Sequence, residues 1–135
     1  MKYILDTHTF IWWNDDPQLL SEKVVALCED PSNKLFVSLA SVWEMQIKLQ
    51  LKKLKLSASL ESIIEQQQAN NIELLTLTTQ HILNLSTLPM HHKDPFDRLI
   101  ISQANMDNAI LLSADKKFEL YDVKVDWQMN GKSNF

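Results

Sequence analysis

A chain of 135 residues, 45% apolar and 22% charged, has room for one continuous core and too much apolar content for intrinsic disorder. No apolar run approaches the ~20 residues that span a bilayer, and the single cysteine, Cys28, excludes an internal disulfide and any zinc spacing. The net charge of −4 argues against a broadly basic surface of the kind that attracts phosphate at long range. It leaves nucleic acid open, because carboxylates gathered at a metal site carry charge that a divalent ion offsets.

In chain order, residues 2–5 read as a strand ending at Asp6, followed by a short helix through Phe10, Ile11, Trp12 and Trp13. Leu19, Leu20, Val24, Val25 and Leu27 recur at helical spacing, with Ser21 a candidate N-cap within that stretch. Residues 34–38 read as a second strand, 40–52 as a helix, about 58–70 as another, and 72–77 as a third strand. A helical stretch over 78–86 and a helix over 95–108 follow, then a fourth strand at 109–113 and a short fifth at 123–125. Strands alternating with helices predict an α/β fold with a mainly parallel sheet covered on both faces, its strand C-termini along one edge. Asp6 and Asp115 both fall at that edge. With no linker or low-complexity stretch, one domain over 1–127 is expected, and 128–135 reads as a C-terminal tail, mobile from Asn130. Asp6 cuts short any apolar leader at the N-terminus, so a cytoplasmic location without membrane contact is the default expectation.

Four acids carry the chemistry, and each has a structural alternative. Asp6 and Asp115 can each be helix N-caps. Glu44 lies inside a helix, where capping cannot explain it. Its alternative is an exposed i,i+4 ion pair with Lys48, beside a stripe of Trp43, Ile47 and Leu51 distinct from the stripe of Val42, Met45 and Leu49. Asp94 is a good N-cap ahead of Pro95. Asp97 can simply favour the helix N-terminus as an acid in the first turn. Yet it falls between Ile100 and Ile101 within an apolar arc, where an unpaired carboxylate costs several kcal/mol that a metal or a strong donor removes. Carboxylates crowded together repel, and hard divalent cations with oxygen ligands relieve that repulsion. Two such ions can activate a water and stabilise the leaving oxygen of a phosphodiester.

The stretches Ile4-Leu5-Asp6-Thr7-His8-Thr9 with Trp12-Trp13, Ser38-Leu39-Ala40-Ser41-Val42-Trp43-Glu44, His91 through Ala104, and Leu112-Ser113-Ala114-Asp115 together resemble the PIN domain, specifically the VapC-type toxins of bacterial toxin–antitoxin pairs. The likeness runs in order from residue 1 to about 127. It implies a three-layer α/β/α domain with a five-stranded sheet, acting as a Mg²⁺- or Mn²⁺-dependent endoribonuclease that a cognate antitoxin neutralises. The family's acids fall on Asp6, Glu44, Asp97 and Asp115, with Asp94 an extra acid that can assist the metal. Ser113 resembles the family's small hydroxyl near the site. The resemblance also implies an RNA substrate and a homodimer, with the Trp43, Ile47 and Leu51 stripe a candidate for the dimer or the antitoxin contact. Arg98 and Lys116 are candidates for phosphate contact or for plain solvation. His8, His91 and His92 are candidates for substrate, metal or proton transfer, against a bland role as local hydrogen-bonding residues. Two other functions compete. Asp-Thr-His-Thr resembles the opening motif of haloacid-dehalogenase-like phosphatases, although His8 stands where they carry a second acid; the other is a PIN-like binding module without catalysis.

Overall fold

A run of consecutive apolar strand residues must be buried on both faces, and Tyr3, Ile4 and Leu5 all are. This strand, β1 (Lys2–Leu5), lies at the centre of the sheet in the computed structural model, which describes residues 1–127. The element order is β1, α1 (Thr7–Asp15), α2 (Glu22–Glu29), β2 (Lys34–Ser38), α3 (Leu39–Gln50), α4 (Leu60–Ala69), β3 (Ile72–Leu75), α5 (Thr79–Leu83), α6 (Pro95–Met106), β4 (Ile110–Leu112) and β5 (Val125–Asp126). Five strands pair in the order β3-β2-β1-β4-β5, all parallel, with Leu5 opposite Val37 on one side and Leu112 on the other. The strand C-termini therefore share one edge, as the alternation of strands and helices predicts.

Side chains alternating across the sheet feed two cores. One gathers Tyr3, Leu5, Val37 and Leu112 with Phe10 of α1, Val24 of α2, Met45 of α3 and Ile63 of α4. The other gathers Ile4 and Leu111 with Leu99, Ile100, Ile101 and Ala104 of α6 and Phe118. Helix α3 reaches both, through Met45 and Ala40. Sheet and helices thus make the three-layer α/β/α arrangement.

Helix ends are set without glycine, whose only instance, Gly131, lies outside the described residues, as does the expected tail. Lys52, Asn71 and Asn108 take the left-handed conformation instead, at φ 60°, 70° and 53°. Lys53 N–H then reaches back to Lys48 O at 2.8 Å and Ala109 N–H to Ala104 O at 2.9 Å, satisfying carbonyls that the ends of α3 and α6 leave open. The expected elements are all present, β1 and β2 with the expected bounds, β3, β4 and α6 shorter, and β5 shifted to Val125–Asp126. The spacing from Leu19 to Leu27 is not one helix: Pro17–Leu19 is a 3-10 turn, and α2 begins after Ser21, whose hydroxyl accepts Val24 N–H at 3.2 Å. The 78–86 stretch likewise divides into α5 and a 3-10 turn at Asn84–Thr87.

Candidate functional site

Asp6 is at once a helix cap and an edge acid. Leaving β1, it caps α1 by accepting Thr9 N–H on Oδ1 at 2.8 Å, and its Oδ2 accepts the Ser113 hydroxyl. It is 5% exposed, and burial raises its carboxyl above the usual range while the Ser113 and Thr9 bonds pull it back. Ser113, buried just past β4, also accepts Asp115 N–H at 3.0 Å. One hydroxyl therefore sets the distance between the acids that follow β1 and β4. Asp115 itself is exposed and caps the 3-10 turn Lys116–Leu120 through Lys117 N–H at 2.9 Å.

Glu44 does pair with Lys48, at 2.8 Å, but the pair is not a surface one: Glu44 is 6% exposed. Thr7, the residue after Asp6, donates its hydroxyl to Glu44 Oε1 at 2.7 Å and lies 2.9 Å from the Ser41 hydroxyl. Asp94 caps α6, accepting Phe96 N–H at 2.8 Å and Asp97 N–H at 3.1 Å. Asp97, half-buried, holds its Oδ2 2.7 Å from His92 Nε2. Burial, then the charges of Asp94 and Glu44, push its carboxyl up to about 6 against the His92 hydrogen bond. One ligating atom each from His92, Asp94 and Asp97 lies within 4.8 Å of the others.

With this geometry in view, the relatives are informative. The sequence model for the PIN domain matches residues 3–124. The chain belongs to the PIN domain family. Three solved structures share the fold. VapBC2 from Rickettsia felis, bound to a DNA fragment from their promoter, matches at TM-score 0.72 and 18% identity, covering 95% of this chain and 100% of that one. VapBC-1 from nontypeable Haemophilus influenzae matches at TM-score 0.64 and 23% identity, covering 93% and 97%. DNA-bound VapBC from Salmonella typhimurium matches at TM-score 0.68 and 16% identity, again covering 93% and 97%. All three identities are low, so the likeness is one of fold. No curated protein sequence matches the chain.

This PIN domain presents its acids as two limbs of one edge. Asp6, Ser113 and Asp115 form the first, beside a cavity of about 300 Å³ that His8, Trp12 and Ala114 also line. Glu44, Asp94, Asp97 and His92 form the second, where the Asp94 and Glu44 charges act on Asp97. Thr7 connects the limbs, since it follows Asp6 in the chain and bonds to Glu44. The phosphatase alternative has no support left: the family differs, and residue 8 is an exposed imidazole where a second acid would stand.

Plain solvation does not describe Arg98, because it is 9% exposed and its guanidinium donates to Pro89 O at 2.8 Å and Leu85 O at 3.2 Å, with Tyr121 Oη at 3.4 Å. His91 sets its ring edge-on to Tyr121 at 5.2 Å. Lys116 is exposed. Sequence reasoning missed Thr7, Thr9 and Ser41 as polar partners around the acids. Thr9 was findable, standing three residues after an N-cap acid; Ser41, three before Glu44 on α3, was findable only with Thr7 opposite it.

Proposed function

We propose that this PIN domain is a divalent-metal-dependent endoribonuclease, the toxin component of a toxin–antitoxin pair that hydrolyses RNA phosphodiester bonds in the cytoplasm. The observation that carries the proposal is the two-limbed set of acids at the C-terminal edge of a parallel sheet, with Lys48 the lysine bonded into it. The donors fit a hard cation. They are mainly carboxylate oxygens, burial together with the Asp94 and Glu44 charges holds the Asp97 carboxyl up at about 6, and hydrogen bonds from Ser113 and Thr9 orient the buried Asp6. Asp6, Asp97 and Asp115 would hold Mg²⁺ or Mn²⁺, with Glu44 as a further ligand or as the group that orients the attacking water. When bound, the ion supplies a Lewis acid for the phosphodiester and a more acidic water. Ser113 fixes the Asp6 carboxylate, Thr7 and Lys48 fix that of Glu44, and Asp94 shapes the start of α6 beneath Asp97.

For partners, the α3 stripe favours a protein contact: Trp43 and Leu51 are 57% and 58% exposed, with Trp43 edge-on to Phe96 at 5.2 Å. A cognate antitoxin or a second copy of the chain would cover it. Among the described residues, no helix is long and apolar enough to cross a membrane.

The test is purified protein with labelled single-stranded RNA in Mg²⁺, Mn²⁺ or EDTA, beside Asp6→Asn and Asp97→Asn. Cleavage should need the ion and fall at least about a hundredfold in each variant, the scale on which loss of a catalytic group acts. Equal cleavage by parent and both variants would overturn the proposal.

A further inference from the structure

The cavity at the first limb has walls that a metal site does not require. Besides Asp6 and Asp115, it is lined by Ala114 and by the rings of His8 and Trp12. His8 and Trp12 are four residues apart on α1, a spacing that puts side chains on one face of a helix. Their ring centroids are 5.8 Å apart at an interplanar angle of 39°, a tilted contact that sets the two rings side by side in the cavity wall, the His8–Trp12 notch. His8 is exposed, whereas Trp12 is half-buried and held from behind by the edge of Trp127 at 5.9 Å. The neighbours Thr7, Thr9 and Phe10 are all buried, so His8 is the outward residue of that turn and has no packing role to explain an aromatic ring there.

The charge of the walls selects what can enter. Among the described residues, no lysine or arginine lines this cavity, and two carboxylates do. An anionic group meets two carboxylates here with His8 as the one basic side chain in the lining, whereas a flat, uncharged π-system meets an aromatic wall. At about 300 Å³ the volume lies at the small end for ligand pockets and has room for a single nucleoside-sized group.

We propose that the His8–Trp12 notch receives one unpaired RNA base, next to the phosphodiester that the acids address. Stacking there positions the strand and restricts the substrate to nucleotides that can leave a helix. The proposal rests on the ribonuclease reading, and adds to it a base-stacking subsite that the acids themselves do not provide. Base–aromatic stacking tolerates any base, because every base has a π-face, so the subsite confers a preference for single strands more than for a sequence.

The experiment pairs protein variants with base deletions. A short labelled single-stranded RNA is made as a series in which one nucleotide at a time is abasic. Binding is followed by fluorescence anisotropy in Ca²⁺, with the RNA checked to be intact, for the parent, His8→Ala, His8→Phe and Trp12→Phe. Melting temperatures confirm that each variant is folded. At one position the abasic RNA should bind the parent about 5- to 100-fold more weakly than the complete RNA. His8→Ala should lose most of that difference, while His8→Phe and Trp12→Phe, which keep a ring, should retain it. A His8→Ala protein that is as sensitive to the abasic position as the parent overturns the subsite, as does a parent indifferent to every abasic position. Cleavage in Mn²⁺ is scored separately. Position-specific coupling without cleavage keeps the subsite and removes the nuclease reading; cleavage that needs Asp6 and Asp97 without coupling does the reverse.

Discussion

The Ser113 hydroxyl binds Asp6 from across the β1–β4 pair, donating to its Oδ2 while accepting Asp115 N–H at 3.0 Å. Asp6 is buried and its other oxygen is occupied by Thr9 N–H, so without Ser113 one carboxylate oxygen has no donor. Leaving a buried acceptor unsatisfied costs about 1–3 kcal/mol. Ser113→Ala should therefore lower the melting temperature of the metal-free protein. Mn²⁺ should restore more stability to the variant than to the parent, because a cation replaces the missing donor. Thermal melts with Mn²⁺ or EDTA measure both. Equal Mn²⁺ shifts in the two proteins would show that Asp6 is not at the ion.

Asp97 makes the stability of the metal-free domain depend on pH in a direction opposite to that of an ordinary paired acid. Its carboxyl is pushed up to about 6 in the folded chain, by burial first, from a value of 3.8. Between those values the folded state holds a proton that the unfolded state has released. The contribution of Asp97 is thus fully present below about 4 and is lost as pH rises through about 6. Asp97→Asn removes that loss. The variant should gain stability relative to the parent between about pH 4 and 7, by up to ~3 kcal/mol, the free energy that corresponds to so large a rise in a carboxyl pKa. Melting curves in EDTA across that range decide it; a gap that stays constant with pH contradicts the raised value.

How far the chain announces this site depends on where each residue finds its partners. Asp6 and Asp115 are legible because a short apolar run ending in an acid places that acid at a strand terminus, and parallel strands bring such termini to one edge. Their capping roles are real as well, so helix cap and edge acid are not exclusive alternatives. For Glu44 the sequence leaves an exposed ion pair with Lys48 standing beside the site role, because its helix wheel puts it beside the Trp43 stripe. What buries it is Thr7, 37 residues away, together with its neighbour Ser41. Helical periodicity describes only a helix's own faces and is blind to another helix, here the start of α1, that packs against one of them. The expected bounds of β3 and β4 run a residue or two long, since Thr76 and Leu77 follow β3 and Ala109 and Ser113 flank β4 without belonging to the ladders.

The outer stripe of α3 yields a prediction that separates folding from association. Leu51 is 58% exposed, just past the last turn of α3, whereas Trp43 also packs on Phe96 at the start of α6. Leu51→Asp is therefore the cleaner probe. It should change stability by no more than about 0.5 kcal/mol, as expected for an exposed site. If the stripe is a protein contact, the same change should weaken self-association or retention of a co-expressed antitoxin. Sedimentation velocity and co-purification read these two outcomes, and unchanged association in both would assign the stripe to solvent.

Arg98 offers the sharpest contrast between a phosphate ligand and a structural ion. Its guanidinium bridges backbone carbonyls of Leu85 and Pro89, and reaches Tyr121 Oη, which in turn donates to His92 O at 3.4 Å. The segment 85–92 is thereby pinned to α6, and that segment delivers the His92 imidazole to Asp97. Lysine has one compact ammonium in place of a planar fork and cannot span these acceptors together. Arg98→Lys should cost about 2–3 kcal/mol of stability, the scale of hydrogen bonds to a charged group. If Arg98 neutralised a phosphate, the charge-removing change Arg98→Gln would instead leave stability alone and reduce the dependence of log K on log salt by about one unit. Melts and RNA-binding titrations at several salt concentrations distinguish the two. A stable Arg98→Gln protein with a shallower salt slope would return Arg98 to the RNA. A destabilised protein with the parent's slope identifies it as the clamp that holds His92 against Asp97.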